Sequence, residues 1–213
     1  MENTHNTHHE AKHSKYFDVR KLVFTALMAA ISIVLAEALK FKLPGIMPSF
    51  ISFDFSDVPA MLAALTMGPI SGVFVCIIKN VWGLFTTSTG GIGELSNFIL
   101  SASLVLSAGI IAHKSAKLSR AIIGCAVGAV LMAAVSFPSN YFIVYPVYQN
   151  FMPLDVIIGK YQEIIPGVDG LTQCLLIFNV PFTFVKGAIA AIVSVLLYKR
   201  LRPIFNSMYR SDR

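Results

Sequence analysis

From Leu22 to Leu39 the chain reads LVFTALMAAISIVLAEAL, eighteen residues whose only charge is Glu37. At about 1.5 Å per residue such a helix is about 27 Å long, close to the roughly 30 Å hydrocarbon core of a bilayer. Similar stretches recur to the end of the chain. Overall, 55% of the residues are hydrophobic and 13% charged, with a mean hydropathy of +0.70, against about 25% charged in an ordinary soluble domain. So few charges cannot cover a water-facing surface of this size, whereas a bilayer lets apolar side chains face outward. The expected fold class is an all-α membrane protein.

Basic residues precede the first span, and Ala36-x-Ala38 near its end imitates a signal peptide. Its apolar run is longer than a typical signal core, however, and Lys40 and Lys42 follow directly, so an uncleaved helix is expected. Residues 1–20, with His5, His8, His9 and His13, read as a disordered cytosolic tail rather than a metal site, because no fixed ligand spacing appears. The segment 41–53 holds turn residues but also Leu43, Met47 and Phe50, too apolar for an exposed loop. Asp57-Val58-Pro59 reads as a helix start, with Asp54 and Asp57 as cap and dipole partners.

That helix is short, since Gly68-Pro69 interrupts it. Further spans are expected from Ile70 to Phe85, from Glu94 to Ala112, from about Ala121 to Tyr148 with a bend at Pro138, and from about Leu171 to Tyr198. The count is about six transmembrane helices in a bundle spanning 21–203, followed by a basic cytosolic tail at 204–213. Of the 17 Lys and Arg against 11 Asp and Glu, most collect at the chain ends and at Lys114, Lys117 and Arg120, while Lys40, Lys42 and Lys160 fall on the outer side. This pattern expresses topology, with both termini cytoplasmic, and not contact with nucleic acid. Cys76, Cys125 and Cys174 are dispersed in apolar segments and read as small core residues.

Polar residues inside these spans carry the functional signal, because a central Lys or Asp costs about 2.5–3.5 kcal/mol to insert. Asn179, Thr183 and Lys186 stand on one face of the last span; Glu94, Asn97 and Ser101 repeat the pattern on the fourth, and Ser136 and Asn140 on the fifth. Their convergence at one depth points to a pocket open to the exterior. For Ser101 and Ser136, interhelical hydrogen bonding suffices as an explanation. Lys186 either binds a ligand or forms an ion pair with Glu94 or Glu37, and Lys79 reads as structural. The sequence holds no Walker A motif, no G-x-S-x-G and no H-E-x-x-H, so no catalytic or metal residues are assigned.

FDFSDVPAMLAALTMGPISG at 53–72, IKN at 78–80, GELSNF at 93–98, SNYFIVYPVY at 139–148 and PFTFVKG at 181–187 resemble the riboflavin-specific S components of energy-coupling factor (ECF) vitamin transporters. The similarity runs from Lys21 to about Pro203. It implies a six-helix bundle in a bacterial cell membrane that captures riboflavin from outside as cargo, with no cofactor. It also implies delivery inward with an EcfT-type transmembrane coupling protein and two cytosolic ATPases. Glu94, Asn97, Asn140, Thr183 and Lys186 would then contact the ligand, with Leu43, Met47 and Phe50 as a lid. Ala26, Ala29 and Ala30 would form the partner-docking face. Related sequences usually carry Asn at the position of Thr183, which offers one hydroxyl where an amide offers both donors and an acceptor.

Overall fold

The computed structural model describes residues 10–87, 89–113 and 117–210, with side chains described for 19–87, 89–112, 117–201 and Pro203. The elements in order are α1 (Glu10–Ala38), the two-residue strands β1 (Phe41–Lys42) and β2 (Ser52–Phe53), α2 (Asp57–Met67) and α3 (Pro69–Gly83). They continue with α4 (Ile92–His113), α5 (Leu118–Ser139), a π-helical turn (Asn140–Val144) and α6 (Tyr145–Tyr148). The last are α7 (Leu154–Gln162), α8 (Gly170–Cys174), a second π-helical turn (Leu175–Asn179) and α9 (Val180–Arg210).

Four continuous helical stretches are long and apolar enough to cross a membrane: Val19–Ala38, Ile92–Ala112, Leu118–Tyr148 and Gly170–Leu201. The other two apolar helices, α2 and α3, have 11 and 15 residues. At about 1.5 Å per residue they cover about 17 and 23 Å, so neither alone matches a hydrocarbon core of roughly 30 Å. Among the described residues, six apolar helices are therefore present where about six spans are expected, but only four reach full length. The protein is an all-α membrane protein. Apolar side chains such as Leu22, Leu27, Val34, Val130, Ile192 and Leu196 face outward, as a lipid-facing surface requires.

α1 begins at Glu10, inside the stretch expected to be an unstructured tail, and α9 runs on to Arg210 through the stretch read as a basic tail. Glu10–Arg20 contains neither Gly nor Pro, and extending an existing helix costs far less than nucleating one. Residues 1–9 and 211–213, and the side chains of the early histidines and of Lys114, lie outside the described set.

α2 sits at the centre. Every residue in it except Thr66 is buried, as expected of a helix apolar on all sides. The main core joins Val58, Met61 and Leu65 of α2 to Ala29 of α1, Cys76 of α3, Leu104 of α4, Cys125 of α5 and Ala190 of α9. Helices α4 and α5 approach closely through Gly124 and Gly128: a Cβ at either would lie 2.7 Å from a backbone oxygen, of Ala108 or Leu104. This is small-xxx-small packing. A second core gathers Met47, Ile92, Tyr145, Ile157, Tyr161 and Phe178 around α7.

Pro138 lies within α5, yet the helix widens only at Asn140, two residues on. Both π turns end two residues before a proline. The Tyr145 N–H donates to Asn140 O ahead of Pro146, and the Val180 N–H donates to Leu175 O ahead of Pro181. A proline has no N–H, and its ring crowds the carbonyl four residues back; a widened turn relieves that conflict without breaking the helix. Each turn also carries an asparagine, Asn140 or Asn179, that reaches the same cavity.

Candidate binding cavity

A cavity of about 200 Å³ lies between the ends of α1, α3, α4, α6 and α9 and the segment 49–54. Its walls mix apolar side chains such as Phe50, Leu100, Val144 and Phe182 with Asn80, Asn97, Asn140, Thr183 and Lys186. Glu37, Lys40, Lys42 and Glu94 also line it. An apolar enclosure with a few convergent polar groups is the usual make-up of a small-molecule site.

Lys186 sits at one side of this space. Its Nζ donates to Asp54 Oδ2 at 3.0 Å and to Asn97 Oδ1 at 3.1 Å, and Asp57 Oδ2 lies 3.6 Å away. Glu94 and Glu37, the partners considered from sequence, are engaged elsewhere. Glu94 Oε2 accepts from the Thr87 hydroxyl at 2.7 Å, and Glu37 Oε1 accepts from the Thr86 hydroxyl at 2.9 Å. The correction has a simple cause: α2 begins deep in the bundle, so the acids at its start are buried against the lysines.

Lys79 is the second ammonium of the cluster. It donates to Asp57 Oδ1 at 2.5 Å, to Ser56 Oγ at 2.8 Å and to Ser101 Oγ at 3.3 Å. Ser101 in turn donates to Asp57 Oδ1 at 2.5 Å. Asp57 therefore gives its carboxylate to α3 and α4, and no side-chain cap closes the start of α2. Asp54 does anchor the local chain, since its Oδ1 accepts the Ser56 N–H at 2.9 Å and the Ser56 hydroxyl. Burial acts to raise the Asp54 carboxyl. The nearby Lys186 and Lys79 ammonium groups and the Ser56 hydroxyl outweigh it and hold the carboxyl below the usual carboxylate range. Two lysines and two aspartates thus form a buried cluster without net charge.

A second network crosses the opposite wall. The Asn140 amide donates to Ser136 O at 2.8 Å, and its Oδ1 accepts from the Ser96 hydroxyl at 3.2 Å. Ser136 and Thr183 share a hydroxyl hydrogen bond of 3.1 Å. Behind it, the Tyr145 and Tyr161 hydroxyls are hydrogen-bonded to each other. Tyr161 donates to Asn179 Oδ1 at 2.7 Å, and Asn179 Nδ2 donates to Tyr145 Oη at 3.3 Å.

Of the residues expected at the site, Glu94, Asn97, Asn140, Thr183, Lys186 and Phe50 all line the cavity. Leu43 and Met47 do not. Met47 is buried in the second core, where it supports the loop from beneath. Phe50 packs on Tyr148 and Tyr161, with ring centroids 5.8 and 5.9 Å away. The loop 41–53, closed by pairing of Phe41 with Phe53 and Lys42 with Ser52, therefore does fold back onto apolar structure. Ala26 and Ala30 are exposed on α1. Ala29, expected beside them on a docking face, is instead only 2% exposed and belongs to the core.

Asn80 and Asp54 were missed as cavity residues. Asn80 takes part through its Oδ1, which accepts from Asn97 Nδ2 at 3.1 Å; its place beside Lys79 in the interior of an apolar helix was the available signal.

The model of the family "ECF transporter, substrate-specific component" matches residues 20–198. The riboflavin transporter RibU of Staphylococcus aureus is 32% identical over 182 residues, covering 85% of this chain and 90% of that protein. The riboflavin transporter FmnP of Bacillus subtilis is 28% identical over 188 residues, covering 87% and 93%. A solved S component of a bacterial ECF transporter is 30% identical, with a TM-score of 0.67 over 88% of this chain and 98% of that one. The chain belongs to the substrate-specific components of ECF transporters.

Proposed function

We propose that this chain captures riboflavin from outside a bacterial cell and releases it inward as the binding subunit of an ATP-driven importer. Energy would come from an EcfT-type coupling protein and two cytosolic ATPases. The supporting observation is the cavity. Asn97, Asn140, Thr183 and Lys186, from three different helices, converge on a space walled by Phe50, Leu100, Val144 and Phe182. A flavin needs that combination: flat apolar walls for the ring system, and placed hydrogen-bond groups for its polar edge and ribityl hydroxyls. The names of the relatives support the same cargo.

In this reading the six apolar helices all count as spans, the shorter α2 and α3 included, and both termini are cytoplasmic. The cavity then opens outward. The loop closes over bound riboflavin through Phe50, with Met47 as its buried anchor. Transport rather than catalysis is the task, and riboflavin is cargo, not cofactor. Riboflavin added to detergent-purified protein should bind saturably and survive competition by thiamine, folate and pantothenate. Loss of the signal to one of those vitamins would reassign the cargo. Gradient-driven uptake into vesicles lacking the ATPases would replace the subunit reading with that of a stand-alone carrier.

A further inference from the structure

The two buried lysines are not equivalent. An ammonium has three N–H donors. Lys79 has an acceptor for each, in Ser56, Asp57 and Ser101. Lys186 has two hydrogen-bonded acceptors, Asp54 and Asn97, while Asp57 Oδ2 at 3.6 Å is beyond hydrogen-bond range and is itself buried without a hydrogen-bond partner. Lys186, Asp54 and Asn97 line the cavity, and Asp57 does not.

We propose that Asp54 is a positioning residue for ligand recognition: with Asn97 it holds the Lys186 ammonium so that the third N–H serves the cavity, and its charge cancels that of the ammonium. The class of ligand group this arrangement takes is an uncharged hydrogen-bond acceptor, a ring carbonyl or ring nitrogen, in preference to an anion. A lone buried lysine would attract a carboxylate or phosphate by Coulomb attraction, which is strong where water is excluded. Here Asp54 and Asp57 already balance Lys79 and Lys186, so an anion entering the cavity is desolvated with no net counter-charge to meet it. The ammonium contributes a donor without contributing a field. Asp54 also belongs to the segment that follows β2, so the same ion pair ties the loop 41–53 to α9.

This inference rests on the riboflavin reading, and riboflavin itself supplies the probe. Dithionite delivers two electrons, and N5 takes up one proton, giving a reduced flavin that is anionic at N1 in mildly alkaline buffer. The midpoint potential of bound flavin therefore reports the charge its site presents. In the native chain the bound potential should lie at or below that of free riboflavin, because the cavity gives the anion no net support. Asp54→Asn leaves one uncancelled positive charge; it should bind oxidised riboflavin about tenfold more weakly, a difference of about 1.4 kcal/mol, and raise the bound potential. The double variant Asp54→Asn with Lys79→Met is again neutral and should return the potential to the native value. A native potential raised above that of free flavin overturns the proposal, and this measurement needs no variant to fold. So does an Asp54→Asn protein with native affinity and potential. No riboflavin binding by the native chain overturns the functional reading and this inference together, a result distinct from either of the others.

Discussion

Lys186 and Asp54, 132 positions apart in the chain, meet at 3.0 Å beside the cavity. That contact joins the last helix to the loop that would cover a ligand, and it separates the roles of the two buried lysines. Lys186→Ala should lower riboflavin affinity at least tenfold while the protein still folds, because its Nζ borders the cavity and Asp54 keeps the Ser56 N–H and hydroxyl as donors. Lys79→Ala leaves Asp57 buried with a lost partner, a change that costs about 3–5 kcal/mol. Yield and thermal stability in detergent should fall for Lys79→Ala far more than for Lys186→Ala.

Ala26 and Ala30 are exposed on α1 while Ala29 is packed inside. Replacing both Ala26 and Ala30 with Leu should leave riboflavin binding by the isolated subunit intact and impair uptake by the assembled transporter. Ala29→Leu should instead lower the unfolding temperature of the subunit alone, since overpacking a core typically costs about 1–3 kcal/mol. Equal effects of the two changes on isolated-subunit stability would contradict the placement of α1.

Helices α4 and α5 touch at Gly124, where a Cβ would lie 2.7 Å from Ala108 O. Gly124→Ala should push the helices apart and destabilise the bundle by about 1–3 kcal/mol, measured as a lower unfolding temperature. Gly159→Ala, at a position where a Cβ meets nothing within 4 Å, is the control and should change little.

Thr183 offers the cavity a hydroxyl already shared with Ser136 at 3.1 Å. Thr183→Val keeps the shape and removes that group. Riboflavin affinity should fall severalfold, consistent with a hydrogen bond worth about 0.5–1.5 kcal/mol, with little change in stability because Ser136 retains Asn140 as a partner. Unchanged affinity would place the ribityl and ring contacts on other residues.

Much of this architecture could be read from the chain. Apolar runs gave the helices, Gly68-Pro69 marked the break between α2 and α3, and helical spacing placed Asn97, Asn140, Thr183 and Lys186 on inward faces. The partners of Lys186 could not be read. Asp54 and Asp57 look like the polar start of a helix, and only the depth at which α2 begins turns them into buried counter-ions; no periodicity reports a contact 132 residues away. The π turns were equally hidden. Pro146 and Pro181 announce a disturbance, but whether a helix kinks, stops or widens depends on what packs around it. Ala29 was misplaced because three neighbouring alanines look alike in sequence, although successive residues on a helix point about 100° apart.

Hydrophilic side chains from separate helices meet at this cavity, and the proposed occupant of the space between them is riboflavin. The most direct test is calorimetric titration of detergent-purified native chain with riboflavin, alongside Lys186→Ala. One riboflavin per chain should bind saturably, markedly more weakly in the variant. Heat that never saturates, or an identical isotherm for the two proteins, would contradict it.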